Sequence, residues 1–445
     1  MDELRQAQIQ LGSALEKARS GDLGLAELVR EHGLRFVQVF TSLLRLTKLH
    51  DLQNQAFDIP VREFRSCIDR LWQELGAIHV VAVQDQIYVN DIRMRPPSPE
   101  DASTDLGRLL REHNVGGISF HTTMDQQDIR RLVRCFAAKP QAGRRRTALI
   151  ERMRISGLEG VDVSGVFLFK VGADADEDQS TVQMMERATA AAAEAWDAVA
   201  SHRIPNPLPM RRAVTEMLAE GLNAEGLWEQ EGMIAQPGRH SVRVARLALL
   251  LGQELGMSGA ALQDLGVAAI FHDIGYAVRG PNEAHESAGA RLLLRQRGFH
   301  EAKIRRLRAT LEHHKDFSDI GGKPGLFGRI LRIAEDYDNL ARSKQTGFSP
   351  AVALEVMVSE AGNFYDPLLL QTFVNRLGCY PPGTFLRLGD GRVVCSRSLV
   401  RDPDIFDRPE CFLVVDEEGN RPSIGAIIDL AYEGEIMGLA QIGSF

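Results

Sequence analysis

The sequence predicts a mainly α protein: an all-helical block, an α+β N-terminal domain before it, and a small β-rich extension after it. Three observations carry this. Between about 205 and 377, apolar residues recur with helical period and the connections are short Gly/Pro/Asn stretches. Before about 170, short β-rich runs sit among helical ones. After Tyr380-Pro381-Pro382-Gly383 the apolar runs shrink to strand length. The 445 residues are 44% hydrophobic and 25% charged, an ordinary globular balance, and the length suggests two or three domains.

In chain order, helical patterns are expected near 2–18, 23–48 and 60–75. Ile78-His79-Val80-Val81-Ala82-Val83, a polar turn at Gln84-Asp85-Gln86, and Ile87-Tyr88-Val89-Asn90 read as a hairpin. Gly116-Gly117-Ile118-Ser119-Phe120 adds a strand, and 125–138 a helix with Ile129, Leu132, Val133 and Phe136 on one face. His113, His121 and Asp125 are too few to make a catalytic constellation, so surface or capping roles are expected of them. This gives a regulatory or sensory domain over 1–170.

Residues 171–204 read as an acidic linker, with Asp174, Asp176, Glu177 and Asp178, joined to a connecting helix. The alanine block 188–193 is a strong helix former; it serves either as a lever or dimer contact, or as a plain packed helix. Pro205, Pro207 and Pro209 then break the chain. The helical domain spans 205–377. The extension, 378–445, carries β-type runs at 384–388, 393–395 and 411–415, with turns at Gly389-Asp390-Gly391 and Glu417-Glu418-Gly419-Asn420.

Bulk properties narrow the function. Five scattered cysteines without a CxxC pair suit a reducing cytoplasm, not a disulfide framework. The N-terminus lacks a signal-peptide layout, and runs such as Leu247-Ala248-Leu249-Leu250-Leu251 are far too short to span a bilayer. A formal charge of −8 argues against a nucleic-acid polymer as partner, though not against a small phosphorylated ligand at bound metals.

Chemistry concentrates in the helical block. His240 opens an apolar-periodic run. His272 and Asp273 follow Val267–Phe271 and precede Gly275, and His285 comes after a short loop. His313 and His314 end another helix, and Glu335, Asp336 and Asp338 lie on the next. Five separated elements are thus expected to bring imidazole or carboxylate to a helix end. A lone histidine on a helix is more often structural, but the pairs His272-Asp273 and His313-His314 beside apolar runs need a partner. Imidazole and carboxylate suit iron or manganese, and a carboxylate beside histidines can bridge two ions ~3.5–4 Å apart that clamp a phosphoryl group.

These motifs resemble the HD superfamily and, more narrowly, the HD-GYP domain. His240-Ser241 with Arg243-Val244-Ala245 resembles its opening histidine motif, and Phe271-His272-Asp273-Ile274-Gly275 its naming motif. Ala284-His285-Glu286-Ser287-Ala288-Gly289 resembles the third histidine motif and Glu312-His313-His314 the paired one. Residues 329–340 resemble the last acidic segment, and Phe364-Tyr365-Asp366-Pro367 with Gly378–Thr384 the tail. The resemblance implies an all-helical HD/HD-GYP fold over about 205–425. It also implies a cyclic di-GMP phosphodiesterase acting through a metal-bridging hydroxide, in a signal-transduction setting. As metal ligands it implies His240, His272, Asp273, His285, His313, His314 and Glu335, with Asp273 bridging two divalent ions.

The departures from the family pattern are specific. Tyr276 stands where the family has a phosphate-holding lysine; its hydroxyl donates one hydrogen bond but carries no fixed charge. Losing a charged clamp costs about 10²–10³ in rate. Lys315 stands where an acid is expected, and Gly321-Gly322-Lys323 replaces the glycine-tyrosine-proline signature. Gln236 replaces the carboxylate of trinuclear members, so two metals, iron or manganese, are expected. Asp273 and Tyr276 are the catalytic candidates, and Lys315, Lys323, Arg342 and Lys344 the phosphate-contact candidates. The expected substrate is a cyclic dinucleotide or another small phosphate ester, with a protein partner or a second copy as a further candidate. The alternatives are a catalytically impaired regulator that binds metal, nucleotide or a protein, and an HD phosphohydrolase for a different ester.

Overall fold

The computed structural model describes all residues except 1–22, 84–85, 91, 95–101, 142, 166–176, 204, 223–237, 281–282, 296–300, 320, 344–345, 348, 401, 422–425 and 441–445. The helix expected at 2–18, the acids Asp174 and Asp176, Gln236 and Lys344 fall outside the described residues. The chain is mainly α with two small antiparallel sheets, and it divides into two compact units. No helix among the described residues is long and apolar enough to cross a membrane.

The first unit covers residues 1–173, 202–208 and 291–301. Helices α1 (Leu23–Leu46) and α2 (Asp58–Leu75) cover a sheet of β1 (Ile78–Val83), β2 (Gln86–Val89), β3 (Ile92–Met94), β4 (Val115–Phe120) and β5 (Val161–Gly165), with α3 (Ala102–Glu112), α4 (Gln126–Ala137) and α5 (Arg145–Ile155) between strands. The strand order is β3-β2-β1-β4-β5. In α2 the buried residues Val61, Phe64, Cys67, Ile68, Leu71 and Leu75 recur every three or four positions, which forms one apolar stripe. That stripe joins Phe36, Phe40, Phe120 and Phe136 in an aromatic core. The expected hairpin is present, with a third strand added.

Asp125 caps α4, accepting from the Asp128 amide at 2.7 Å. The two histidines, expected in surface or capping roles, have neither: His121 is half-buried and His113 fully so. His113 is buried and hydrogen-bonds the Phe136 carbonyl at 2.9 Å, and the His121 ring pairs with Asp162 at 3.2 Å. A strand-end imidazole with one polar tip can serve as a core filler once a carbonyl or carboxylate meets that tip.

The second unit covers 174–201, 209–290 and 302–445. It contains α6 (Glu177–Ala200), α7 (Leu208–Glu220) after its first residue, α8 (Arg239–Glu254), α9 (Gly259–Phe271), α10 (His285–Arg295) as far as Ala290, α11 (Glu301–Glu312) after its first residue, α12 (Leu326–Ala341), α13 (Pro350–Ser359) and α14 (Pro367–Leu377). A sheet of β6 (Phe385–Leu388), β7 (Val393–Ser396), β8 (Glu410–Val415), β9 (Ile427–Asp429) and β10 (Ile436–Leu439) follows, in the order β10-β6-β7-β8-β9.

Helix α8 is buried on all sides from Val244 to Gly252, so it is the axis of the bundle and packs on α9, α12, α14 and α6. A Cβ on Gly252 would meet Leu262 and Leu265 within 3 Å, which sets the close approach of α8 and α9. The alanine block is a packed face: Ala188, Ala192 and Ala195 are buried, and Gly238 lies so close that a Cβ there would stand 2.9 Å from the Ala192 Cβ. Glu177 and Asp178, read as linker, begin α6 instead. Pro209 is no breaker but sits in the first turn of α7, where its missing N–H costs nothing.

Candidate metal centre

The ligand-type residues come from five elements, each placed by a local feature. His240 is the second residue of α8. His272 and Asp273 follow the last turn of α9, ahead of a 3-10 turn at Ile274–Ala277. His285 starts α10, and His313 and His314 leave the end of α11. Glu335 breaks the expected pattern: it lies in the middle of α12, buried on the face turned to the cluster, so a buried helix face serves as well as an end.

Glycine makes the close approach. A Cβ on Gly275 would lie 1.8 Å from the His285 carbonyl oxygen and 2.6 Å from the Gly289 amide nitrogen. A Cβ on Gly289 would stand 2.8 Å from Thr310 Cγ2. Two hydrogens where side chains would be thus let the turn after Asp273, the start of α10 and α11 converge.

All seven expected residues come together, in two sets that share Asp273. One atom each from His240, His272, Asp273 and Glu335 lies within 4.8 Å of the others, and the same holds for Asp273, His285, His313 and His314. Asp273 Oδ2 is 3.4 Å from His272 Nε2 and 3.7 Å from His240 Nε2, while its Oδ1 is 3.2 Å from His285 Nε2 and 3.7 Å from His313 Nε2. Each carboxylate oxygen therefore faces one set. Glu335 reaches both, with Oε2 4.0 Å from His272 Nε2 and Oε1 3.5 Å from His314 Nε2.

Backbone carbonyls fix two tautomers. His272 Nδ1 lies 2.6 Å from the Ala269 oxygen and His313 Nδ1 2.8 Å from the Thr310 oxygen. A carbonyl can only accept, so both Nδ1 atoms donate and both Nε2 atoms turn toward the cluster. His240 gets the same treatment from a carboxylate: its Nδ1 donates to Asp338 at 2.9 Å. Asp338 is buried and also accepts from Arg243 at 2.8 and 3.0 Å and from Arg342 at 3.1 Å. This carboxylate–imidazole pairing is the usual outer support of a metal-binding histidine.

The donor set fits a cation. His272 Nε2, Asp273 Oδ1 and Glu335 Oε2 are buried and make no hydrogen bond. His285 Nε2 and His313 Nε2 face each other at 3.2 Å, a contact between two lone pairs unless a proton or cation stands at it. Buried lone pairs left this way are costly, and a divalent ion satisfies several at once.

The titration pattern points the same way. Burial alone would raise the Asp273 carboxyl, but the His272 charge and the imidazoles of His272, His285 and His313 set around it outweigh that and hold Asp273 well below the usual range. His272 goes up to about 9 because Asp273 and Glu335 overcome its burial. Burial pushes Glu335 up to about 8 and His313 down to about 4. Without an ion, protons supply the positive charge that the carboxylates need.

Among the remaining candidates, Tyr276 is 43% exposed and stacks on His285, with centroids 4.0 Å apart and planes 11° from parallel. Its ring thus covers one imidazole of the cluster. Lys315 directly follows His314. Lys323 is exposed and its ammonium sits over the Phe317 ring at 4.2 Å. Arg342 is bound to Asp338, so its charge goes to orienting His240. Sequence reasoning left Asp338, Arg243 and Gly275 without a role. The only signal for Asp338 was its place one helical turn after Glu335 on α12.

The family model described as HD domain matches residues 238–340, a segment that contains all seven cluster residues. A curated relative, a cyclic di-GMP phosphodiesterase of Pseudomonas aeruginosa, is 28% identical over 179 residues, covering 35% of this chain and 42% of the relative. The match therefore spans less than half the length of that protein. A solved structure described as an HDG"Y"P protein from Bdellovibrio bacteriovorus covers 68% of this chain and 94% of its own at 15% identity, with a TM-score of 0.38.

Proposed function

From the premise that residues 238–340 are an HD domain, we propose that this chain is a metal-dependent phosphohydrolase that opens a cyclic dinucleotide, cyclic di-GMP being the first candidate. One observation carries the reading: two four-residue donor sets that share the buried carboxylate of Asp273. Support for the substrate comes from the motif pattern and from the similarity to a cyclic di-GMP phosphodiesterase.

In this reading His240, His272, Asp273 and Glu335 would hold one divalent ion and Asp273, His285, His313 and His314 the other. Bound there, such a pair polarises phosphoryl oxygens and lowers the pKa of water near them. The chain does the rest. Ala269, Thr310 and Asp338 lock three imidazoles so that no rotamer search precedes ion or substrate binding. His272 and His313 close the floor, whereas the His240 and His314 side chains remain 27% and 32% exposed, so the phosphoryl group enters from their side. Lys315, next to His314 in the chain, and Lys323, over the Phe317 ring, are the candidates for further positive charge toward the substrate. The iron or manganese preference follows from the mixed imidazole–carboxylate donors.

The test is hydrolysis of cyclic di-GMP by protein loaded with manganese or iron, followed as appearance of the linear dinucleotide. The expected result is turnover in the wild type and its loss in Asp273→Asn. One observation favours a second reading, a regulator that binds without cleaving: Tyr276 leaves the position of the family lysine uncharged. Binding of cyclic di-GMP without cleavage, in the wild type and in Tyr276→Lys alike, would decide for that reading.

A further inference from the structure

The turn after Asp273 carries a second layer over the cluster. The Val278 and Arg279 amides both donate to the Gly275 carbonyl, at 3.1 and 2.9 Å, which folds the chain back over the Tyr276 ring. The Arg279 guanidinium carbon sits 4.7 Å from the Tyr276 ring centroid. Since His285 covers one face of that ring at 4.0 Å and nearly parallel, the guanidinium occupies the other. His285, Tyr276 and Arg279 therefore form one stack: ligand imidazole, phenol, cation.

The pairing of its charge sets Arg279 apart from its neighbours. Arg243 and Arg342 are paired with Asp338, Arg332 with Asp336, Arg329 with Asp366, and Arg308 with Glu312. Arg279 is exposed and, among the described residues, has no carboxylate partner; its side chain is held by the ring alone. A guanidinium fixed on an aromatic face keeps its donors in one plane and ready for a phosphate edge.

We propose that Arg279 is a specificity-determining clamp for a second phosphate, the one that is not being cleaved, and that Tyr276 is its platform. The proposal rests on the phosphohydrolase reading and names what that site selects. Ions held by the Nε2 atoms would lie near the planes of the imidazoles, and a phosphoryl group would reach the cluster through those ions. Arg279 is displaced along the ring normal by two stacking layers, too far to hydrogen-bond the same oxygens at 2.7–3.2 Å. A cyclic dinucleotide carries a second phosphate across its ring; a simple diester does not. The charge that the family places at position 276 has thus moved outward by three residues, from the reacting phosphate to its neighbour.

The experiment compares Arg279→Lys, Arg279→Ala and Arg279→Glu with the wild type in the full chain, each checked for equal metal content and equal thermal unfolding. The readouts are the Kd for cyclic di-GMP by equilibrium dialysis, and the kcat/KM ratio of cyclic di-GMP to bis(p-nitrophenyl) phosphate, a diester with one phosphate. A charge-assisted contact predicts that Ala weakens the Kd on the order of 10- to 100-fold and lowers the ratio, with Lys between wild type and Ala and Glu worst. Tyr276→Leu should act in the same direction, and the double variant should add little, because platform and clamp are one device. A flat series, with wild-type Kd and ratio in Ala and Glu while the wild type cleaves both diesters, overturns the proposal alone. Metal-loaded wild type that neither binds cyclic di-GMP nor cleaves either diester overturns the phosphohydrolase reading, and the clamp with it.

Discussion

Asp338→Asn isolates the support of His240, a proposed ligand, from His240 itself. Asp338 touches no other member of the cluster except His240, whose Nδ1–H it accepts at 2.9 Å. The amide keeps the shape and one acceptor oxygen but removes the charge that Arg243 and Arg342 share. Two effects follow. The Arg243 side chain is 11% exposed and that of Arg342 16%, so both lose a counter-charge in a place water reaches poorly. Breaking a buried pair costs about 3–5 kcal/mol. Residual exposure and the surviving amide oxygen lower this to roughly 2–3 kcal/mol.

The second effect falls on the ion. An amide orients the imidazole less firmly and makes Nε2 less basic, and loss of such a partner weakens metal affinity by about 10–100-fold. The assay is competition against a chelating dye with manganese, read beside thermal unfolding of the metal-free chain. Because His240 belongs to one donor set only, a single class of site should weaken. An Asp338→Asn protein with wild-type affinity at both sites would refute the argument that this carboxylate orients His240.

Gly275→Ala should abolish metal binding by the His285 set while the rest of α8 and α9 remains helical, since its Cβ would lie 1.8 Å from the His285 carbonyl; metal titration with circular dichroism checks both halves. Chelation of the intact protein should lower its unfolding temperature, because an ion present at ~100 times its Kd stabilises by about 2.7 kcal/mol per site; calorimetry with and without EDTA reads this directly. In the first unit, burial holds His79 down at about 3, so the folded state refuses a proton that the unfolded state takes near 6.5. The unfolded chain then binds more protons between those values, and stability falls as pH drops from 6.5 toward 3, by up to ~1.4 kcal/mol per unit. Hydrogen exchange of the β1 and β4 amides in the full chain should show that slope, and His79→Gln should flatten it.

The cluster was legible because its chemistry is local in sequence. His272-Asp273 and His313-His314 are pairs of polar residues directly after apolar helical runs, and such groups need partners wherever the helices go. Helix ends were legible for the same reason, which is why Glu335 in mid-α12 departed from the pattern while still arriving at the cluster. What holds the cluster was not legible. Asp338 acts on His240 across 98 positions, and Gly275 matters only because α10 crosses it, a fact of tertiary approach and not of spacing. Tyr276 was readable as a missing charge, but its stacking on His285 and the arginine above it depend on how the Gly275 turn folds back. In the first unit the β hairpin and Asp125 cap followed from local rules, whereas the burial of His113 depended on a carbonyl 23 residues away.

In the proposed centre Asp273 serves two donor sets at once, and ion counting tests that most directly. Protein freed of metal, reloaded with manganese and assayed by elemental analysis after dialysis should hold two ions per chain, and Asp273→Asn should lose both with its fold intact. Two ions retained in Asp273→Asn, or one or none in the wild type, would contradict it.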